Sequence, residues 1–306
     1  MKTRYPLHGL TAAAHTPFTA DGALNLAAVE KQCEHLLRNN VTQVFIGGST
    51  GESHSVGTDE RRQLAERWAE VIKGTPMRLI VHVGSNCLRD ARALAEQAEE
   101  LGVLAIAALA PGYFRPNTLD RLIACCAGIA AGAPSTPFYF YDIPALTNVN
   151  FAMDEFLERG EAAIPTLAGI KFTNSDLMAY QLTLRAGGGG FDVPWGVDEF
   201  MLGALALGAR GAVGSSFNFA TPVYQRLIRA FEAGDLAAAR EEQWKSVQLI
   251  KALASVGYLG AAKALMGWLG VEVGPARLPN GNPSAEQLKA LRAGLERMGF
   301  FEWILR

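Results

Sequence analysis

The sequence predicts a (β/α)8 TIM barrel, an α/β fold, with a C-terminal helical extension. Three observations carry that prediction. Short apolar runs alternate with helix-length amphipathic segments from Gly9 to about Ala233. The runs are apolar on both faces, as strands of a parallel sheet covered by helices must be. Eight such units recur at a spacing of about 28 residues, the number that closes a barrel. An open doubly wound sheet is the runner-up, weakened because no glycine fingerprint for a dinucleotide follows the first run.

The strands are expected at residues 10–14, 41–46, 79–83, 103–109, 138–141, 167–171, 191–195 and 212–213. Helical patterns cover 26–38, 59–72, 88–101 and 201–207 between them. Thr58 followed by Asp59 and Glu60 reads as an N-cap with acidic first-turn residues. The four glycines 187–190 read as a flexible connection into the seventh strand. Residues 234–306 read as further helices, bounded at Gly257, within 270–283 and at Ser284. The expected organisation is a barrel over 1–233 and an extension over 234–306 packed on it, forming a single catalytic unit.

Composition narrows the function classes. A chain of 306 residues, 49% hydrophobic and 19% charged, can bury a large core without disulfides or metal. A net charge of −2 supplies no general attraction to nucleic acid or to an anionic membrane. The segment Met1-Lys2-Thr3-Arg4-Tyr5-Pro6 lacks an apolar signal core, and no apolar stretch approaches a membrane span, so a cytoplasmic protein is expected. Cys33, Cys87, Cys125 and Cys126 show neither a metal spacing nor a disulfide framework. The adjacent Cys125 and Cys126 read as small core residues in a reducing compartment. His8, His15, His35, His54 and His82 form no metal-binding pattern, which disfavours a metal-dependent hydrolase barrel. His82 reads as a packed histidine.

In barrels of this type the active site lies at the carboxyl ends of the strands. Polar residues collect there. Lys171 ends the apolar run Leu167-Ala168-Gly169-Ile170, and Tyr141 ends Phe138-Tyr139-Phe140. A lysine nucleophile must be neutral when it attacks, and burial is the ordinary way to favour that form. The bland alternative is a snorkelling or ion-paired lysine. A phenol beside such an amine can relay a proton, although tyrosines at strand ends are also common fillers. Gly47-Gly48-Ser49-Thr50-Gly51-Glu52 offers unhindered N–H groups flanked by hydroxyls, a cradle suited to a carboxylate. No Gly-Lys-Ser/Thr follows it, so it is not a nucleotide loop. Asp198 and Glu199 either open a helix or accept hydrogen bonds from a polyhydroxylated tail, with Ser215 beside them. Asp142 is expected to cap the turn before Pro144.

With these residues on the page, the chain resembles the N-acetylneuraminate lyase branch of the dihydrodipicolinate synthase family. The similarity spans about Gly9 to Pro279 and rests on the joint order of several motifs. These are the 47–52 turn, Tyr141-Asp142-Ile143-Pro144-Ala145-Leu146-Thr147, Gly169-Ile170-Lys171 and Gly196-Val197-Asp198-Glu199. Gly211-Ala212-Val213-Gly214-Ser215-Ser216 and Gly274-Pro275-Ala276-Arg277-Leu278-Pro279 complete the set.

The resemblance implies a class I aldolase that needs no metal or organic cofactor and usually assembles as a homotetramer. It implies that Lys171 forms a Schiff base, that Tyr141 is the acid/base, and that Gly48, Ser49 and Thr50 hold the substrate carboxylate. Tyr113 matches a tyrosine that reaches towards a neighbouring subunit's site. Thr173, Gly196, Asp198, Glu199 and Ser215 match contacts to the sugar-derived tail. Ala145-Leu146 stands where the synthase branch has an arginine for an amino acid's carboxylate. Asp142 replaces an asparagine or histidine, Gly112 an aromatic residue, and Ser216-Phe217 a Thr-Tyr pair.

The expected reaction is reversible cleavage of N-acetylneuraminate to N-acetylmannosamine and pyruvate. The small-molecule partners are thus a 2-oxo sugar acid and pyruvate. The alternatives are cleavage or dehydration of another 2-keto-3-deoxy sugar acid, a synthase-like condensation with an aldehyde, and a non-catalytic sugar-acid sensor.

Overall fold

The computed structural model describes residues 7–305, so the expectation about Met1 to Pro6 lies outside the described residues. The strands are β1 (Gly9–Ala13), β2 (Gln43–Ile46), β3 (Arg78–His82), β4 (Ala105–Leu109), β5 (Phe138–Asp142), β6 (Leu167–Phe172) and β7 (Gly211–Gly214). They are parallel and ordered β6-β5-β4-β3-β2-β1-β7. Between and after them come α1 (Ala28–Arg38), α2 (Thr58–Val71), α3 (Leu88–Glu100), α4 (Leu119–Ala130), α5 (Pro144–Thr147), α6 (Met153–Gly160), α7 (Leu177–Arg185), α8 (Met201–Ala206) and α9 (Thr221–Glu232).

The seventh of the eight expected strands is the exception. Residues 191–195 make only isolated bridges, from Asp192 to Gly169 and from Trp195 to Phe172 and Ala212. The cause is Pro194. Asp192 sends its N–H to Ala168 O, but Pro194, on the same side of the segment, has no N–H to send. The segment still bridges the gap in the barrel. Asp192 O and Pro194 O accept from Ile170 and Phe172, while Trp195 donates to Gly211 O and accepts from Val213.

Strand alternation divides the core into two layers. Phe138 and Phe140 of β5 face the helices, whereas Tyr139 and Tyr141 join Phe45, Ile80, Ala107 and Val213 inside the barrel. In β6 the alternation is interrupted. Phe138 pairs with Leu167 but Tyr139 pairs with Gly169, leaving Ala168 as an extra residue. That bulge resets the phase, so Ile170 packs among the helices and Lys171 turns inward. Gly169 is required there. A Cβ at this position would lie 1.7 Å from Asp192 O, where no side chain can be accommodated.

Local capping departs from the sequence reading at α2. Its N-cap is Gly57 rather than Thr58, which is already helical, and the Glu60 carboxylate accepts from the Gly57 N–H at 3.0 Å. The glycine string makes a tight turn in which Gly187, Gly188 and Gly189 all take left-handed backbone, with φ of 56, 67 and 75. The extension consists of α10 (Leu236–Ala254), α11 (Tyr258–Trp268), α12 (Ala285–Met298) and α13 (Phe300–Trp303). Ser284 caps α12 through reciprocal bonds with Gln287, at 3.2 and 2.8 Å. α10 packs along α9, α11 and α12, which docks the extension on the barrel flank. No single helix among the described residues is long and apolar enough to cross a membrane. Cys33 and Cys126 are buried, Cys125 is half-buried and Cys87 is exposed, all as free thiols.

Candidate active site

The β5–β6 register sets Tyr141 directly opposite Lys171. Lys171 is only 4% exposed, which excludes the snorkelling alternative. Its Nζ lies 3.6 Å from the Tyr141 ring centroid and 4.6 Å from that of Phe45. The Tyr141 hydroxyl is 3.2 Å from Ser49 Oγ, so the phenol joins the amine to the 47–52 turn.

The turn itself is fixed from beneath by His82, which is fully buried. Leu109 N–H donates to Nε2 at 3.2 Å, so the proton is on Nδ1 and is donated to Gly47 O at 2.9 Å. Burial, reinforced by nearby Arg61, holds this imidazole well below its usual pKa and therefore neutral. Arg61 caps the end of β3 by donating to His82 O and Gly84 O at 2.7 and 2.9 Å.

On the opposite side, Asp198 stands in a 3₁₀ turn that leads into α8. Its Oδ2 accepts from both the N–H and the hydroxyl of Ser216, at 2.9 and 2.5 Å. Burial pushes this carboxyl up to about 6 despite those donors. Gly214 makes room for it, since a Cβ there would fall 2.2 Å from Asp198 Oδ1. The chain Ser216–Tyr224–Ser246 extends the network towards α10 at 2.6 and 2.7 Å. One oxygen of Asp198, Oδ2, is thus engaged inside the protein. Glu199, by contrast, borders open space. Ser215 Oγ is 2.8 Å from the Tyr258 hydroxyl.

These groups surround one cavity of about 590 Å³. Ser49, Thr50, Tyr141, Lys171, Thr173, Gly196, Asp198, Glu199 and Ser215 all line it. Gly48 lies beneath the turn against the Phe45 ring, outside the lining. Tyr113 is 78% exposed and stacks edge-on against Phe114, away from the cavity. Asp142 does not cap the following turn. It is buried, its Oδ2 has no partner, and desolvation raises its carboxyl to about 7.

The sequence reading missed the wall supplied by the extension: Ile250, Ala254, Tyr258, Leu259 and Asn280. It also missed Lys263, buried in α11. The available signal was a lysine inside the apolar run Ala261-Ala262-Lys263-Ala264-Leu265, the anomaly that singled out Lys171.

A family model for the dihydrodipicolinate synthetase family matches residues 6–298. The chain belongs to that family. Among curated relatives, the N-acetylneuraminate lyase of Gallus gallus is 37% identical over 300 residues, covering 97% of each chain. The solved N-acetylneuraminate lyase of Proteus mirabilis superposes with a TM-score of 0.94 at 37% identity, over 97% of this chain and 100% of that one. The N-acetylneuraminate lyase (sialic acid aldolase) of Aliivibrio salmonicida gives 0.93 at 38% identity, over 97% and 98%. This member of the dihydrodipicolinate synthetase family therefore shares its whole barrel and extension with those lyases.

Proposed function

We propose that this chain is a Schiff-base aldolase that cleaves N-acetylneuraminate reversibly to N-acetylmannosamine and pyruvate. One observation carries the reading: a buried amine, Lys171, faces a phenol, Tyr141, that contacts the hydroxyl of the 47–52 turn. Resemblance over nearly the full length to proteins named as N-acetylneuraminate lyases supports the choice of substrate.

The open-chain sugar acid enters with its carboxylate against Ser49 and Thr50 and its tail towards Glu199, Ser215 and Tyr258. The neutral Lys171 amine attacks the C2 ketone, and loss of water leaves a protonated imine. Tyr141 accepts the proton of the C4 hydroxyl as its own phenolic proton passes, by way of the Ser49 hydroxyl, to the substrate carboxylate. The carboxylate holds that proton for the later protonation of the enamine carbon. The C3–C4 bond then breaks, its electron pair moving into the imine to give an enamine, and N-acetylmannosamine departs as the aldehyde. Protonation of the enamine carbon and hydrolysis of the imine release pyruvate and restore the amine. The chemistry uses side chains of this chain alone and calls on no metal or organic cofactor. Thr173 and Gly196 border the tail, and Asp198, tied to Ser216, shapes that wall rather than serving as its main acceptor. Leu146 leaves no cation for a second substrate's carboxylate, in keeping with cleavage over condensation.

Barrel and extension act as a single catalytic unit, because residues 250–280 help to line the cavity. The assembly we propose is a homotetramer in which Tyr113 reaches a neighbouring subunit's site. Its exposure, and that of Phe114 beside it at 86%, support that role. Four free thiols suit the reducing cytoplasm we assign to it.

Borohydride reduction in the presence of pyruvate tests the chemistry. A stable adduct on Lys171, seen by peptide mass spectrometry and lost in Lys171→Met, is expected. Tyr141→Phe should keep the adduct while kcat on N-acetylneuraminate falls by about 10²–10⁴-fold. Absence of any adduct in the wild-type protein overturns the aldolase reading. Cleavage of other 2-keto-3-deoxy sugar acids without N-acetylneuraminate turnover overturns the substrate alone.

A further inference from the structure

Lys263 and Glu52 form a buried ion pair at 2.8 Å, and both side chains are 0% exposed. Lys263 belongs to α11, about one and a half turns beyond Tyr258. Glu52 closes the 47–52 turn. Neither borders the cavity, so a direct part in the reaction is not open to them.

Their contacts converge on the turn. Lys263 Nζ donates to Thr16 O at 3.0 Å as well as to Glu52 Oε1. The Thr16 hydroxyl in turn donates to Gly51 O at 2.6 Å. One ammonium therefore holds both Glu52 and the residue that pins its predecessor. Glu52 Oε2 accepts from the Arg277 N–H at 2.7 Å and from the Asn280 amide at 3.4 Å. Glu52 adopts φ 58 and ψ 34, a left-handed conformation that is uncommon for a residue with a side chain. Such backbone persists where surrounding contacts over-determine it. Here those contacts come from the extension, more than two hundred residues away in sequence.

Stability alone does not account for the pair. Removing two charges from water is expensive, and apolar replacements of similar size are often equally or more stable. We propose that Glu52 and Lys263 are positioning residues that hold the 47–52 turn in the shape presenting Ser49 and Thr50 to the carboxylate of the 2-oxo acid. The proposal rests on the aldolase reading above, through the carboxylate assigned to that turn. It makes the pair a determinant of affinity for the acid end of the substrate. The sugar tail and the imine step lie outside its reach.

The experiment titrates pyruvate in the borohydride reaction and measures KM and kcat for N-acetylneuraminate. It compares wild type, Lys263→Met and the double variant Glu52→Gln/Lys263→Met. The double variant leaves no lone buried charge, so it carries the test if the single variant does not fold. Half-saturating pyruvate and KM are expected to rise about tenfold or more, equivalent to about 1.4 kcal/mol of lost binding. Maximal labelling of Lys171 and kcat should change by less than about threefold. A folded double variant with unchanged half-saturation overturns the proposal, as does a fall in kcat at constant KM. A double variant that fails to fold also overturns it, because the pair would then be a requirement of the fold rather than of the turn. Failure of the wild-type protein to react with pyruvate would instead count against the aldolase reading.

Discussion

Asp142 shows how one side chain can be held at the expense of stability. It follows Tyr141 on β5, points away from the barrel interior, and has an oxygen without a partner. Burial raises its folded pKa to about 7 from 3.8, against a smaller opposing contribution from Asn174. Between those values the folded chain holds a proton that the unfolded chain has released. Its contribution to stability therefore falls as pH rises from 3.8 to about 7, and the full penalty remains above that range. Asp142→Asn removes the ionisation while keeping the shape. At pH 8 the variant should be more stable by on the order of 2 kcal/mol, with the two proteins converging near pH 4. Denaturant melts at the two pH values check this, and an equal gain at both would remove ionisation as the cause. At this same scale, the sequence was enough to place Lys171, Tyr141 and Ser49 together at the strand ends, because each alone has common structural uses but their joint order along the barrel does not. Asp142 was misread because its turn chemistry was visible and its burial was not.

Among the elements, β6 carries the most consequence. Strict alternation from Leu167 would send Lys171 outward among the helices. The extra residue Ala168 prevents this, so the catalytic geometry we propose depends on a bulge. Gly169→Ala should therefore be severe. With backbone oxygen in the place of the new methyl group, loss of about 3 kcal/mol or more is expected, or no folded protein. Thermal melting measures it, and a wild-type melting temperature would show that the 191–195 segment can move aside. A sequence pattern locates such runs well but cannot register an inserted residue, because apolarity on both faces erases the period of two. The same limit explains 191–195. Its apolar character announced a strand, and the effect of Pro194 appeared only when its neighbours were known. Ser284 and Gln287, a local capping signal, needed no such context.

The molecule as a whole carries apolar surface away from its cavity. Met178 and Leu182, four residues apart on α7, are 72% and 50% exposed, and Leu177 stands beside them. Such a stripe fits burial against a second subunit in the proposed tetramer. The double variant Met178→Asp/Leu182→Asp is expected to sediment as a smaller species than the wild-type protein. An unchanged sedimentation profile would move the contact elsewhere. The share of the extension in the cavity was the least legible feature, because Tyr258, Lys263 and Asn280 meet the barrel only through the tertiary fold. Its placement has a consequence for how such proteins diverge. α11 carries Tyr258 at one end of the cavity and Lys263 behind the other. A hybrid that joined this barrel to the helices of a distant paralogue would alter its grip on both halves of the molecule being cleaved. New sugar preferences are therefore reached more readily by single replacements along the wall than by exchange of the whole appendage.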